Sequence, residues 1–420
     1  MTFFSLLPTP TMSQKTYLAC IGTRPEIIKM APVYRELKSR GERVLLVHTG
    51  QHEAVAQALY TFFDMQPDIV IDLQRKSSSL VHLSTALMES VDNAIQRLDP
   101  DVVMVQGDTT SAFMGAMVGY YQNRPVAHIE AGLRTGEREP FPEEKNRELI
   151  GRLARWHFAP TRQCKYHLLG EGIEAGQIFE VGNTVIDAAL WTRARVASNS
   201  FDLNAVMPEN LSSFRRRMDS KRMILVTAHR RENWGQPIRD IAQAVAQILT
   251  AYEESVAIWP VHPNPAVRAD VEAVVVRLPL YVRSRICLTE PLGYQAMISL
   301  IDSCDFTLTD SGGIQEEASA FGKPVLVARK STERQELVSA GGARLVGTDV
   351  AAITDHAMAL LTDANFYSSM QLDKSPFGDG QSARHVVDIL TETAQLGEAV
   401  TSLSVPVHYA KKPIQVAAYV

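Results

Sequence analysis

Short runs rich in valine, isoleucine and leucine alternate with helix-length stretches along nearly the whole chain, and this alternation restricts the fold more than any other feature. A first series of expected strands is Tyr17–Ile21, Val44–His48, Ile69–Leu73, Val102–Gln106, Val126–Ile129 and Ile178–Val181. A second is Met223–Thr227, Val256–Pro260, Ile286–Thr289, Phe306–Leu308, Val325–Val327 and Arg344–Val346. Most of these runs are apolar along their whole length, which marks strands covered on both faces, and helical patterns such as Glu26–Arg40 and Leu80–Leu98 lie between them. The stretch Ser198–Arg217 carries Pro208 and no strand pattern, so it reads as the passage between two units. The expectation is an α/β chain of two Rossmann-like domains with a cleft between them, residues 16–190 and 191–378. A helical pattern at Ala383–Leu396 needs an apolar surface, so residues 379–398 are expected to return to the first domain. Residues 1–15 and 399–420 read as tails. A chain of 420 residues, 45% of them hydrophobic, can bury two such cores.

A net charge of −5 and a pI near 6.1 make no case for nucleic acid or an anionic membrane surface, so any anion must be held by local groups. Cys20, Cys164, Cys287 and Cys304 form no C-x-x-C pair, which excludes the usual zinc and redox-dithiol spacings and suits the cytoplasm. The N-terminal MTFFSLLPTPTMSQKT lacks the basic start of a signal peptide, and no apolar run has the length of a membrane span.

Chemistry concentrates after the strands. Between Gln106 and Arg147, Asp108 and Glu130 emerge at the ends of two strands of a βαβ unit, and Glu143 follows. In parallel sheets ligands bind outside those ends. The plainer alternatives are that Asp108 caps the helix starting at Thr109 and that Glu130 pairs with Arg134. The first loop, GTRPEIIK, lacks the G-x-G-x-x-G of a dinucleotide site but puts Arg24 at a helix N-terminus, with Lys29 one turn on, as a phosphate site would need. In the second half, LTDSGGIQEE places Ser311 as an N-cap and Gly312 and Gly313 where backbone N–H groups can approach an anion, with Glu316 and Glu317 next. A carboxylate there can accept both hydroxyls of a ribose. VARKSTER adds Arg334, and TAHRREN adds His229 and Arg230 at the end of another strand. His229 could donate to a phosphate, carry a proton or serve packing.

GTRPEIIKMAP, QGDTTS, HIEAGLRTG, PFPEEKNR, GNTVID, HRREN, VHPNP and LTDSGGIQEEA, in that order, closely resemble the non-hydrolysing UDP-N-acetylglucosamine 2-epimerases, bacterial enzymes of the glycosyltransferase-B fold. The resemblance implies that Arg24 and Lys29 lie in the active-site cleft and that His229, Ser311, Gly312, Gly313, Glu317 and Arg334 hold UDP. It implies further that Asp108, Glu130 and Glu143 surround the sugar, that no cofactor or metal is used, and that the chain is a homodimer closing on its substrate. Family members can carry a second, allosteric substrate site; Gln51, His52, Arg230 and His262 match it, whereas Ala54, Val55 and Phe141 depart from its pattern. A hydrolysing 2-epimerase, an epimerase of another UDP-2-acetamido sugar and a glycosyltransferase of the same fold are the alternatives.

Overall fold

The computed structural model describes residues 14–50, 53–73, 77, 79–198 and 201–401. Among the described residues, thirteen strands make two wholly parallel sheets. The first holds β1 (Thr16–Ile21), β2 (Arg43–His48), β3 (Ile69–Val70), β4 (Val102–Gln106), β5 (Val126–Ile129), β6 (Trp156–Ala159) and β7 (Ile178–Glu180), ordered β3-β2-β1-β4-β5-β6-β7. The second holds β8 (Arg222–Thr227), β9 (Ser255–Pro260), β10 (Ile286–Thr289), β11 (Phe306–Thr309), β12 (Val325–Val327) and β13 (Ala343–Leu345), ordered β10-β9-β8-β11-β12-β13. This is the two-domain, parallel α/β architecture expected. Every residue of β1 and β4 is buried, which is why TYLACI and VVMVQ show no polar alternation. The short β6 was not expected; WHFA is four residues long and includes His157, whose burial holds its pKa down at about 4.

Strand order reverses once in each sheet, between β1 and β4 and between β8 and β11. At such switch points the connections leave in opposite directions and open a crevice at the strands' C-terminal ends. The four loops that leave these strands are the ones carrying Arg24 and Lys29, Asp108, His229, and Ser311 to Glu317. The exit of β1 is tight: a Cβ on Gly22 would stand 2.3 Å from Ser111 Oγ and 2.5 Å from Thr49 Oγ1.

The helix Thr184–Val196 ties the sheets together. It runs through position 190 and packs on the helix Arg24–Ser39 from the first sheet and on the helices Tyr294–Ser303 and Gly312–Ala320 from the second. One buried apolar cluster therefore continues across it, through Ile186, Ala189, Tyr294, Ile298 and Ala318. The C-terminal helix Ser382–Thr401 lies against the helix Arg24–Ser39: Ala383 N donates to buried Asp187 Oδ1 (2.8 Å), and Arg40 donates to Asp388 Oδ1 (2.7 Å). No helix among the described residues is long and apolar enough to cross a membrane.

Candidate active site

The two switch points face each other across a cavity of about 490 Å³, within the range of small-molecule sites, roughly 300–1,000 Å³. Arg24 and Lys29 line it from the first domain; His229, His262, Ser311, Gly313, Glu317 and Arg334 line it from the second. Local cations thus gather in a chain whose net charge is negative.

Each position follows from its strand exit. Thr23 precedes the helix Arg24–Ser39, and the carboxylate of Glu26 turns back to accept from Gly22 N (3.1 Å) and Thr23 N (2.6 Å), which shapes the turn and presents Arg24. The same carboxylate accepts from Thr109 Oγ1 (2.8 Å) and so joins the β1 and β4 loops. On the other side Ser311 occupies the N-cap position of the helix Gly312–Ala320, but its side chain makes no capping bond. Gly312 serves close approach: a Cβ there would lie 3.1 Å from Cζ of Arg334, so the missing side chain lets the guanidinium pack on the helix N-terminus. Gly313 is the glycine that lines the cavity.

Asp108, Glu130 and Glu143 lie beside this cavity rather than on its wall, and Glu130 is linked to it through Lys29. Glu130 follows β5 with φ +65°, a left-handed conformation that costs a non-glycine residue on the order of 1–3 kcal/mol and is held by its side-chain contacts. Its Oε1 accepts from Lys29 Nζ and from Asn183 Nδ2 (2.9 Å), and its Oε2 from Gln106 Nε2. Burial favours the neutral acid, yet Lys29 and Arg334 overcome it and hold Glu130 below its ordinary pKa. Burial likewise opposes the charge on Lys29, and Glu130 and Glu316 overcome that too. Lys29 Nζ stands 3.9 Å from Glu316 Oε2, while Arg334 Nε donates to Glu316 Oε1 (2.9 Å). An ion chain therefore runs from Glu130 across the cleft to Glu316 on the helix Gly312–Ala320 and on to Arg334.

Asp108 is held differently. Arg147 pairs with it at 2.7 Å, its side chain remains 23% exposed, and burial, reinforced by Glu130 and Glu143, raises its pKa against the pull of Arg147. Asp108 is thus the acid with access to solvent space and a tendency to hold a proton. Glu143 opens the helix Glu143–Leu153, close enough to act on Asp108. The two plainer alternatives fail. Thr109, not Asp108, caps the helix Thr110–Tyr121, accepting from Ala112 N (3.0 Å), and Arg134 is taken by Glu171 (2.6 Å).

Three contributors escaped the sequence-based assignment. Arg147 lies one helical turn after Glu143 and Glu144, a spacing that could have marked it as their partner. Asn183 caps the helix Thr184–Val196, as Asn before an apolar helix should, and its amide also donates to Glu130 and Glu316 (3.3 Å), one from each domain. Asp310, assigned no role from the sequence, is fully buried and organises the His229 loop.

Of the four residues matched to a second substrate site, His262 lines the main cavity with its ring 6.3 Å from that of His229, nearly parallel. Arg230 lies in an adjoining hollow of about 380 Å³ with Arg147, Arg231, Arg329 and Glu333, and pairs with Glu333 (3.0 Å). Gln51 and His52 fall outside the described residues.

Burial pushes Glu317 up from its ordinary 4.5 to about 8, against the nearby Arg24. Its folded pKa exceeds the unfolded one, so the neutral carboxyl contributes stability that is full below 4.5 and lost as pH rises through 8. Relative to Glu317→Gln, the chain should lose stability on the order of a few kcal/mol between about pH 5 and about pH 9. Urea unfolding of both proteins at the two pH values checks this. Parallel behaviour would reject a proton-holding Glu317.

A family model described as UDP-N-acetylglucosamine 2-epimerase matches residues 35–391. A curated UDP-N-acetylglucosamine 2-epimerase of Salmonella typhimurium is 40% identical over 375 residues, covering 89% of this chain and 97% of that one. Among solved structures, the UDP-GlcNAc 2-epimerase of Neisseria meningitidis bound to UDP-GlcNAc superposes with a TM-score of 0.80 at 34% identity, covering 90% of this chain and 100% of that one. An S. aureus MnaA–UDP co-structure gives 0.80 at 34%, with 91% and 98% covered. With a family model and a full-length relative both matching over most of its length, the chain belongs to the UDP-N-acetylglucosamine 2-epimerases, a family of isomerases.

Proposed function

We propose that this chain interconverts UDP-N-acetylglucosamine and UDP-N-acetylmannosamine without hydrolysis, as a cytoplasmic homodimer. The observation that carries the reading is the ion chain Glu130–Lys29–Glu316–Arg334, which couples proton-handling acids to an anion grip across one cleft. A glycosyltransferase needs the grip but has no use for acids of opposite proton affinity beside it.

The chemistry explains the pairing. C2 of the sugar is not next to a carbonyl, so its proton is not acidic until the C1–O bond begins to break. As that bond breaks, its electron pair goes to the β-phosphate oxygen of UDP. The C2–H electron pair becomes the C1=C2 double bond of 2-acetamidoglucal, and the proton passes to a carboxylate. Ionised Glu130 is suited to accept a proton, and Asp108, held toward its neutral form, to return one on the other face. UDP must stay bound meanwhile, so the cations at Arg24, Lys29 and Arg334 serve catalysis as well as affinity. The four cysteines are buried and unbridged, in keeping with a reducing compartment.

Proton NMR of the purified chain with UDP-N-acetylglucosamine in D₂O tests the reading. Deuterium at C2 together with a second UDP-linked anomeric signal is expected. Free N-acetylmannosamine would indicate a hydrolysing enzyme, and no exchange at C2 would reject the epimerase.

A further inference from the structure

Asp310 has no part in the site as expected from the sequence, yet its carboxylate accepts from three donors beside the cavity. It follows β11, is fully buried, and is anchored by its own N–H donating to Thr227 O (3.1 Å). Its Oδ2 accepts from three donors, His229 N, Arg230 N and Asn233 Nδ2, each at 2.9 Å. Those bonds fix the chain leaving β8 and leave the carboxylate no freedom to rotate. Its Oδ1 has no hydrogen bond among the described residues and stands 3.3 Å from Nδ1 of His229. A buried carboxylate oxygen without a donor is unfavourable, and bonds at a catalytic site are often long before the ligand arrives and tighten afterwards.

We propose that Asp310 is a positioning residue for His229: its Oδ1 keeps the first proton on Nδ1 of the imidazole, so that a second proton taken up with the ligand lies on Nε2, across the ring, and makes the hydrogen bond to the pyrophosphate in the cavity. The inference rests on the epimerase reading above.

The charges around the ring make this consequential. Burial, Arg230 and His262 oppose an imidazolium at His229, and Asp310 alone among its charged neighbours favours one. Trp234, on the same loop, contributes only a neutral N–H, which is spent on His229 O (3.1 Å). Burial and these like charges outweigh Asp310 and hold the ring below its ordinary pKa. A pyrophosphate adds negative charge on the far side of the ring, so Asp310 and the ligand together can hold the second proton. As the C1–O bond breaks, the charge growing on the β-phosphate oxygen then meets an Nε2–H already aimed by the bond on Nδ1. The proton stays on nitrogen throughout, and the same hydrogen bond retains UDP until C1 accepts the phosphate oxygen again.

The test reads the ring directly. In the full-length chain with ¹⁵N-labelled histidine, the resonances of His229 are identified by their loss in His229→Ala. At a pH where the ring is neutral, the Nδ1–H tautomer is expected. In Asp310→Asn the amide oxygen must face the three N–H donors, so its NH₂ faces Nδ1, and the ring should switch to the Nε2–H tautomer. An Nε2–H tautomer in the unsubstituted chain overturns the proposal without recourse to any variant, as does an unchanged tautomer in Asp310→Asn.

Turnover supplies the second readout. Asp310→Asn should lower kcat by roughly 10²-fold, the lower end for loss of an acid–base group, with KM changed less than about threefold. Introduced into His229→Ala, it should lower kcat by less than about twofold further. A full further loss in that background would show that Asp310 acts independently of His229 and overturns the proposal. Should the unsubstituted chain fail to epimerise, the functional reading falls, and the tautomer of His229 still decides the role of Asp310.

Discussion

Asp108→Asn is expected to lower turnover by about two to four orders of magnitude, the range for a positioned acid–base group, and to leave UDP affinity within about twofold. The asymmetry follows from where Asp108 sits. It belongs to the first domain and is bonded to Arg147 of the same domain, whereas the cavity wall that would meet a nucleotide comes largely from the second. An amide keeps the shape of the carboxyl and can still accept from Arg147, so the fold and the grip should survive. What it cannot do is hold and return a proton. In the proposed mechanism Asp108, whose pKa burial raises, is the donor of the pair, and Glu130, held below its ordinary pKa by Lys29 and Arg334 against burial, the acceptor. Asp108→Asn and Glu130→Gln should therefore differ in isotope exchange. Asp108→Asn retains proton removal from the gluco isomer and should wash deuterium into its C2 while forming little of the manno isomer. Steady-state rates, calorimetric UDP titration and NMR in D₂O together check this, and near-normal turnover in Asp108→Asn would dismiss the acid from the mechanism.

The parts of this arrangement visible in the sequence are those in which burial or backbone conformation dictates residue type locally. Strands β1 and β4 could be recognised because a strand covered on both faces must be apolar throughout, and the start of the helix Gly312–Ala320 because serine before glycines marks a helix N-terminus. Strand β6 escaped because a buried histidine breaks the apolar run in a four-residue strand. The long-range polar contacts escaped for another reason. Lys29 and Glu130 are 101 residues apart, Asn183 and Glu316 133, and only the strand order of two sheets brings them together. Asp310 shows the same effect: its donors lie 77 to 81 residues upstream, so an acid at a strand end carried no local sign that it would shape the His229 loop.

Lys29→Met is expected to have the largest effect on folding, a loss of about 3–5 kcal/mol, the range for removing one partner of a buried ion pair. The ammonium stands between two buried carboxylates, bonded to Glu130 and 3.9 Å from Glu316. Methionine fills the space of the aliphatic stem but leaves Glu130 charged, buried and dependent on the amides of Gln106 and Asn183. Glu316 fares better, since Arg334 still donates to it at 2.9 Å. The damage should therefore centre on Glu130, and a second substitution can isolate it. Glu130→Gln removes the stranded charge, so Lys29→Met with Glu130→Gln should be more stable than Lys29→Met alone, with a coupling of roughly 0.5–3 kcal/mol. Urea unfolding of the two single variants and the double variant measures that coupling. Simple additivity would mean that Lys29 and Glu130 do not depend on each other. In the coupled case, one lysine both neutralises Glu130, the proposed proton acceptor, and faces Glu316, the carboxylate that holds Arg334. Loss of that lysine should then separate the two domains' chemistry as well as lower the stability of the fold.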